Sequence, residues 1–283
     1  MGKQPRELGR GDAILSNFSL WNASFDERVS AASAAGFDAI GLFIPTYIEM
    51  TTRMGRTDAQ LIDTLARANV SLAELEVLSG WSREFAARDF AAHEKCKLWL
   101  ETACHIAETF GSRHLAVIGP YSGTPADAAR DLRWVCDAAD DVGLLVTIEF
   151  LPFTNIRTAA ETLELIRRTD RGNLGMTFDT WHHFRGANDW AMLDAVPAER
   201  VTCIQVNDGT MRPEHPDYLH DTISNRRLFG DGEFDLRRFF ALLETKGITA
   251  PVSAEVINDE LKHAPPAESA QRIAASLRRF YSF

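Results

Sequence analysis

The sequence predicts an α/β fold, a single (β/α)8 barrel, on three observations. Eight short apolar segments recur along the 283 residues, alternating with helical stretches and uninterrupted by any Pro/Gly/Ser-rich linker. Several of these segments are apolar on both alternating faces, as strands are when helices cover one side and a packed barrel interior fills the other. The length suits one barrel, for which about 250 residues is typical. An open doubly wound sheet is the structural alternative. It would normally advertise a ligand with GxGxxG, and neither that motif nor GxxxxGK[ST] occurs.

The elements follow in order. Strand one is read at Ile14 to Leu20 and strand two at Ala39 to Ile44. Between them Ser24 precedes Glu27, a Ser/Thr-x-x-Glu/Gln pattern whose two side chains can satisfy helix-start N–H groups reciprocally. Thr57 and Gln60 repeat the pattern before strand three, Ser71 to Leu78, and the region from Ser82 to Phe110 is long enough for two helices. Strand four runs from His114 to Gly119, and a helix from about Pro125 to Asp140 leads to strand five, Leu145 to Phe150. Thr158 and Glu161 open the helix before strand six, Leu174 to Asp179, and strand seven is Val201 to Asp208. The connection from Gly209 to Phe234 is too long for an ordinary βα loop. Lying at the carboxyl end of a barrel strand, it is expected to act as a lid or substrate clamp. A helix from Leu236 to Lys246, strand eight from Pro251 to Val256 and a helix from Ala267 to Phe280 complete the pattern. The barrel is assigned residues 12–283, and residues 1–11 a polar N-terminal extension.

Composition narrows the function classes. With 30 Lys plus Arg against 40 Asp plus Glu, the formal charge of -10 argues against a surface that neutralises a nucleic-acid backbone. No stretch reaches the roughly 18 uninterrupted apolar residues that cross a bilayer. The opening MGKQPRELGRGD lacks the apolar run of a secretion signal, so a cytoplasmic location is expected. Cys96, Cys104, Cys136 and Cys203 show no CxxC spacing and are read as free thiols in a reducing compartment.

Polar residues inside the strands carry the chemistry. Glu149 lies at the end of VTIEF, Asp179 ends GMTFD, Gln205 sits in CIQVND and Glu255 in VSAEV. An ionised carboxylate in such a place is costly unless paired or bound to a cation. A barrel sets strands five to eight side by side with their carboxyl ends around one pocket. Three carboxylates and an amide oxygen there form an oxygen-rich cage for one hard divalent cation. Mn2+ or Mg2+ fits best, with Co2+ or Zn2+ as alternatives, and the lack of a thiolate argues against a closed structural zinc site. His182, just beyond the Asp, is expected to donate to a substrate hydroxyl, while His183 packs or faces solvent and His114 is structural. Of Arg226 and Arg227, before Gly230 and Gly232, one is expected to swing over the pocket, and Arg227 is assigned that role. Glu76 can point inward from strand three, and Trp181 can wall the pocket.

These residues resemble the xylose isomerase-like TIM-barrel superfamily of sugar isomerases, epimerases and related lyases. The resemblance rests on IEF around Glu149, FDTWH from Phe178 to His182, IQVND around Gln205, RLFGDGEFD from Arg227 to Asp235 and SAEV around Glu255, in matching order from about Asp12 onward. It implies a metal held by Glu149, Asp179, the residue at 205 and Glu255, with His182 contacting substrate. Many epimerases of that group place His where Gln205 stands. Gln there, with the Arg followed by a Gly-x-Gly turn, is similar to some dehydroshikimate dehydratases.

The expected reaction is proton transfer on a hydroxy-ketone. A bound metal would chelate the carbonyl and neighbouring hydroxyl oxygens, while Glu149 and Glu255 take and return a proton. Return to the opposite face gives epimerisation, return to the neighbouring carbon gives aldose/ketose isomerisation, and loss of a β-hydroxyl gives dehydration. The first expectation is an isomerase or epimerase of a keto-sugar or cyclitol-like hydroxy-ketone. A dehydratase, or a metal-dependent sugar-binding barrel without turnover, is the alternative. The expected partner is a small polyhydroxy keto compound, with no nucleic acid or membrane, and homologues of this kind often associate. A metal-dependent nuclease on the same barrel fares poorly: few histidines stand at the strand ends and the chain is acidic.

Overall fold

Helix-start chemistry is realised where the sequence places it. In the computed structural model, which describes residues 3–82 and 90–283, Ser24 and Glu27 form a reciprocal capping box at the helix Phe25–Ala35. Thr57 and Gln60 do the same at Asp58–Ala68. Thr158 caps the helix Ala159–Thr169 alone, because the Glu161 carboxylate accepts instead from the Arg157 N–H at 2.6 Å. A further box, Thr124 with Asp127, starts Pro125–Asp140; the shorter Asp does the work of Glu. Of the two helices expected between Ser82 and Phe110, one spans Phe90–Phe110, and residues 83–89 lie outside the described residues.

Eight parallel strands close into a barrel in sequence order: β1 (Ala13–Leu15), β2 (Ala39–Phe43), β3 (Ser71–Leu78), β4 (His114–Ile118), β5 (Leu145–Glu149), β6 (Leu174–Asp179), β7 (Val201–Val206) and β8 (Val252–Ala254), with β8 paired to β1. The strand expected from Ile14 to Leu20 stops at Leu15. The Ser16 hydroxyl accepts from the Phe18 N–H at 3.2 Å and turns the chain into a short 3-10 helix, Asn17–Leu20. Glu255 lies one residue past β8, although its N–H still donates to the Val206 carbonyl at 2.9 Å. The long connection after β7 is ordered around the helix Tyr218–Ser224 and two isolated antiparallel bridges, Asp208 with Arg227 and Asn225 with Asn258.

Two-residue periodicity explains why both faces of the sheet are buried. Leu75, Leu115, Val146, Ile148, Met176, Phe178, Ile204, Val206 and Val252 are buried on the helix side. The opposite parity is polar. Glu74 and Glu76, Thr147 and Glu149, Thr177 and Asp179, Cys203 and Gln205, and Ser253 and Glu255 are each two residues apart and all buried. A contact across the interior fixes their direction: Ser253 Oγ on β8 donates to Glu74 Oε2 on β3 at 2.6 Å, while the Thr147 and Thr177 hydroxyls meet between neighbouring strands at 2.9 Å. The barrel is therefore lined by two polar layers, and the upper one holds the strand-end residues singled out by sequence. All four cysteines are free, with Cys96, Cys136 and Cys203 buried. Among the described residues no helix is long and apolar enough to cross a membrane.

Candidate metal centre and active site

The upper layer forms one connected cluster. Glu149 Oε1 lies 3.1 Å from His182 Nε2, which is 3.8 Å from Asp179 Oδ2. Glu149, Asp179 and His182 each offer a ligand atom, and those atoms lie within 4.8 Å of one another. On the other side, Gln205 Nε2 is 3.4 Å from Glu255 Oε1. Arg226 joins the halves, its Nη1 donating to Glu255 Oε2 at 2.6 Å and to Asp179 Oδ2 at 3.4 Å. Glu149, Asp179, Gln205 and Glu255 are thus linked through His182 and Arg226 in one chain of contacts, of which Glu149, Asp179 and His182 bring their ligand atoms together.

Local structure aims each group. Asp179 ends β6 and caps the short helix Thr180–Phe184, with Oδ1 accepting from the Trp181 N–H at 2.6 Å. That turn brings His182, three residues on, back over the strand end. Tyr218, in the post-β7 connection, closes the cluster from above with its hydroxyl 3.4 Å from His182 Nδ1. Sequence flagged this connection but not the tyrosine; its place at the start of a helix inside an oversized loop was the available signal.

Arg226, not Arg227, is the arginine that enters. The Asp208–Arg227 bridge holds the segment as extended chain, where neighbouring side chains point to opposite sides. Arg227 turns outward and pairs with Glu214 at 2.8 Å, about a third exposed. Arg226 turns inward, 2% exposed, with Nε donating to the Thr222 carbonyl. Its guanidinium lies 5.7 Å from the Trp181 ring centroid. Trp181, fully buried with its indole N–H on Thr222, lies behind Arg226. The glycines of the loop have a separate cause: the Asp208 carboxylate accepts N–H bonds from Gly209, Gly230, Gly232 and Phe234. A Cβ at Gly232 would sit 2.2 Å from Asp208 Oδ1, and Gly230 has φ +84°.

Glu76 does point inward, 1% exposed, and accepts from Ser16 Oγ at 3.0 Å. Beneath it lies a group that sequence reasoning missed. Glu74 Oε1 is 3.3 Å from His114 Nε2, 3.5 Å from Cys203 Sγ and 3.4 Å from Gln205 Nε2. The missed signal was the period of two: a second polar residue stands two positions before Glu76, Gln205 and Glu255. His183 packs edge-on against Phe184 and Trp190, and burial pushes its pKa down to about 4.

Charge balance decides what the cluster can hold. Five carboxyl groups, Glu74, Glu76, Glu149, Asp179 and Glu255, are buried here; Arg226 is hydrogen-bonded to two of them, Asp179 and Glu255, while Arg28 and Arg113 act by charge alone on Glu76 and Glu74. The surplus must take up protons or bind a cation. Burial and neighbouring negative charge accordingly push Glu76 and Glu255 well above the usual carboxylate range, and burial raises Glu149. Glu74 moves the other way, since donors from His114 and Ser253 outweigh its burial. Glu76 is hydrogen-bonded to Glu74, and Gln205 Oε1 is buried with no hydrogen-bond partner. An unpaired oxygen beside surplus carboxylates fits a hard divalent cation.

Comparison with known proteins places this geometry in a family. The chain is 27% identical over 246 residues to a 3-dehydroshikimate dehydratase of Pseudomonas aeruginosa; the match covers 86% of this chain and 38% of that relative's length. Among solved structures, the IOLI protein, described with a bound zinc atom, superposes with a TM-score of 0.83 at 16% identity, covering 96% of this chain and all of that one. D-allulose 3-epimerase from Methylomonas sp. gives 0.71 at 18% identity, covering 96% and 98%. At these identities the structures speak for the fold alone. The family model described as xylose isomerase-like TIM barrel matches residues 29–280, and the chain belongs to that family.

Proposed function

We propose that this barrel is a divalent-cation-dependent enzyme that removes a proton next to the carbonyl of a polyhydroxy ketone and expels a β-hydroxyl as water. The observation that carries the reading is the surplus of buried carboxyls at the strand ends, three with raised pKa, one of which, Glu255, meets the Gln205 amide whose oxygen has no partner. The dehydratase reading is placed ahead of isomerisation or epimerisation because the curated relative is a dehydratase, and because Gln205 stands where many epimerases of the resembled group carry His.

Glu149, Asp179, Gln205 and Glu255 would hold the cation, with His182 at its edge. When bound, such an ion polarises a carbonyl oxygen and steadies the negative charge that develops there. The protein side of the chemistry follows from the geometry. A carboxylate oxygen of Glu149 or Glu255 takes the carbon-bound proton. The C–H electrons form the new double bond as the β C–O bond breaks, and the departing hydroxide takes a proton from an acid in the cluster. His182, between Glu149 and Tyr218, is the group placed to give it. Arg226 holds Glu255 and Asp179 in place and balances part of their charge.

The test is to incubate dehydroshikimate, keto-sugars and cyclitol ketones with the protein and Mn2+ or Mg2+ in D2O. NMR then follows deuterium uptake and water loss. Elimination supports the dehydratase reading; exchange without elimination moves the reaction to epimerisation or isomerisation. Cation-dependent binding with neither would make the barrel a binding protein.

A further inference from the structure

We infer that Glu74 is a positioning residue that sets the amide of Gln205, engaging its N–H2 group from the lower layer so that its oxygen is kept free as an acceptor. The inference rests on the functional reading above, in which Gln205 helps to hold the cation.

A glutamine side chain has two faces, a donor and an acceptor, that a half-turn exchanges. In this barrel the exchange is blocked. Gln205 Nε2 lies 3.4 Å from Glu74 Oε1 and 3.4 Å from Glu255 Oε1, so both its hydrogens have carboxylate acceptors. The opposite orientation would set the amide oxygen against two carboxylate oxygens at the same distance, which is repulsive. Gln205 Oε1 is thereby left buried and unpartnered.

Glu74 is itself immobilised from three strands. Ser253 Oγ on β8 donates to Oε2 at 2.6 Å, and His114 on β4 and Cys203 on β7 approach Oε1. It has no hydrogen bond to the Glu149, Asp179 and His182 group; it reaches the cation ligands through Gln205 by contact and through Glu255 by charge. A histidine at position 205 would present a ring nitrogen; a glutamine needs an outside acceptor to choose between its two ends.

The experiment measures Mn2+ binding to the metal-free protein by electron paramagnetic resonance of the free ion, in the wild type, Glu74→Leu, Gln205→Ala and the double variant. Loss of a group that orients a metal ligand typically weakens affinity by roughly 10- to 100-fold. That loss is expected for Glu74→Leu in the wild-type background and should vanish in Gln205→Ala, since the two residues act as a unit. Unchanged affinity in Glu74→Leu overturns the inference, and so does an equal loss in both backgrounds, which would make Glu74 act through its charge on Glu255 or as a barrel stabiliser.

A second measurement uses the wild type and survives a folding defect in Glu74→Leu. NMR of the Gln205 side-chain amide, assigned by its disappearance in Gln205→Ala, should show two inequivalent protons protected from solvent exchange without metal. Rapid exchange of these protons overturns the positioning. A wild type that binds no Mn2+ while keeping the protected amide overturns the functional reading and leaves the positioning standing.

Discussion

Replacing Arg226 by Met removes the guanidinium that joins Glu255 to Asp179 while keeping an unbranched side chain against Trp181. Three hydrogen bonds to the cluster disappear: to Glu255 Oε2 at 2.6 Å, the Glu255 carbonyl at 3.2 Å and Asp179 Oδ2 at 3.4 Å. All the groups are buried, and breaking a buried ion pair from one side costs about 3–5 kcal/mol because the remaining charge is left unpaired. The unfolding entropy of a chain this long is about 0.6 kcal/mol/K, so the cost corresponds to a fall of about 5–8 °C in Tm. Arg227→Met is the matched control. Its pair with Glu214 is over a third exposed on both sides, worth about 0–1 kcal/mol and less than about 2 °C. The assay is calorimetric or fluorescence-detected unfolding of the three proteins without metal, then with saturating Mn2+. Mn2+ should raise the Tm of Arg226→Met more than that of the wild type, because a bound cation then meets two carboxylates with no competing guanidinium. Equal Tm values for both Met variants without metal would refute the argument that the cluster carries surplus negative charge.

Other outcomes follow from the same geometry. Glu149→Gln and Glu255→Gln should each lower deuterium exchange or elimination by about 10^2- to 10^4-fold, the usual worth of a positioned acid or base; near-wild-type turnover in both would remove them from proton transfer. Folding raises the pKa of Glu149 and Glu255 above the ordinary 4.5, so each stabilises the metal-free protein below that value and loses its contribution as pH rises through the raised one. A cation needs these groups deprotonated, so Mn2+ affinity and the gain in Tm on adding Mn2+ should both climb from about pH 4.5 upward. Titration calorimetry across pH checks this, and a flat profile counts against these ligands. Asp208→Ala should cost about 3 kcal/mol, the worth of one or two hydrogen bonds to a charged group, and shift Tm by about 5 °C, because the loop that presents Arg226 loses its anchor.

The sequence determined the barrel and the polar residues buried at its strand ends. Apolar runs at regular spacing and Ser/Thr caps are local signals, and they located all eight strands. Glu149, Asp179, Gln205 and Glu255 were legible because a charged or amide side chain in an apolar strand has a desolvation cost that few environments repay. Boundaries shifted where a side chain competed with the backbone, as Ser16 does by ending β1 after Leu15. The tertiary structure decided which groups meet. Arg226 and Arg227 are equivalent in composition, and only the bridge to Asp208 sends one inward and the other to Glu214. Trp181 is placed behind Arg226 by its hydrogen bond to Thr222, forty-one residues away in the chain. Glu74 reaches Ser253 and Cys203 only because the sheet closes on itself, bringing β3 opposite β7 and β8. Side-chain alternation is written along each strand, but the neighbours across a closed barrel are set by its registers, and no single segment carries that information.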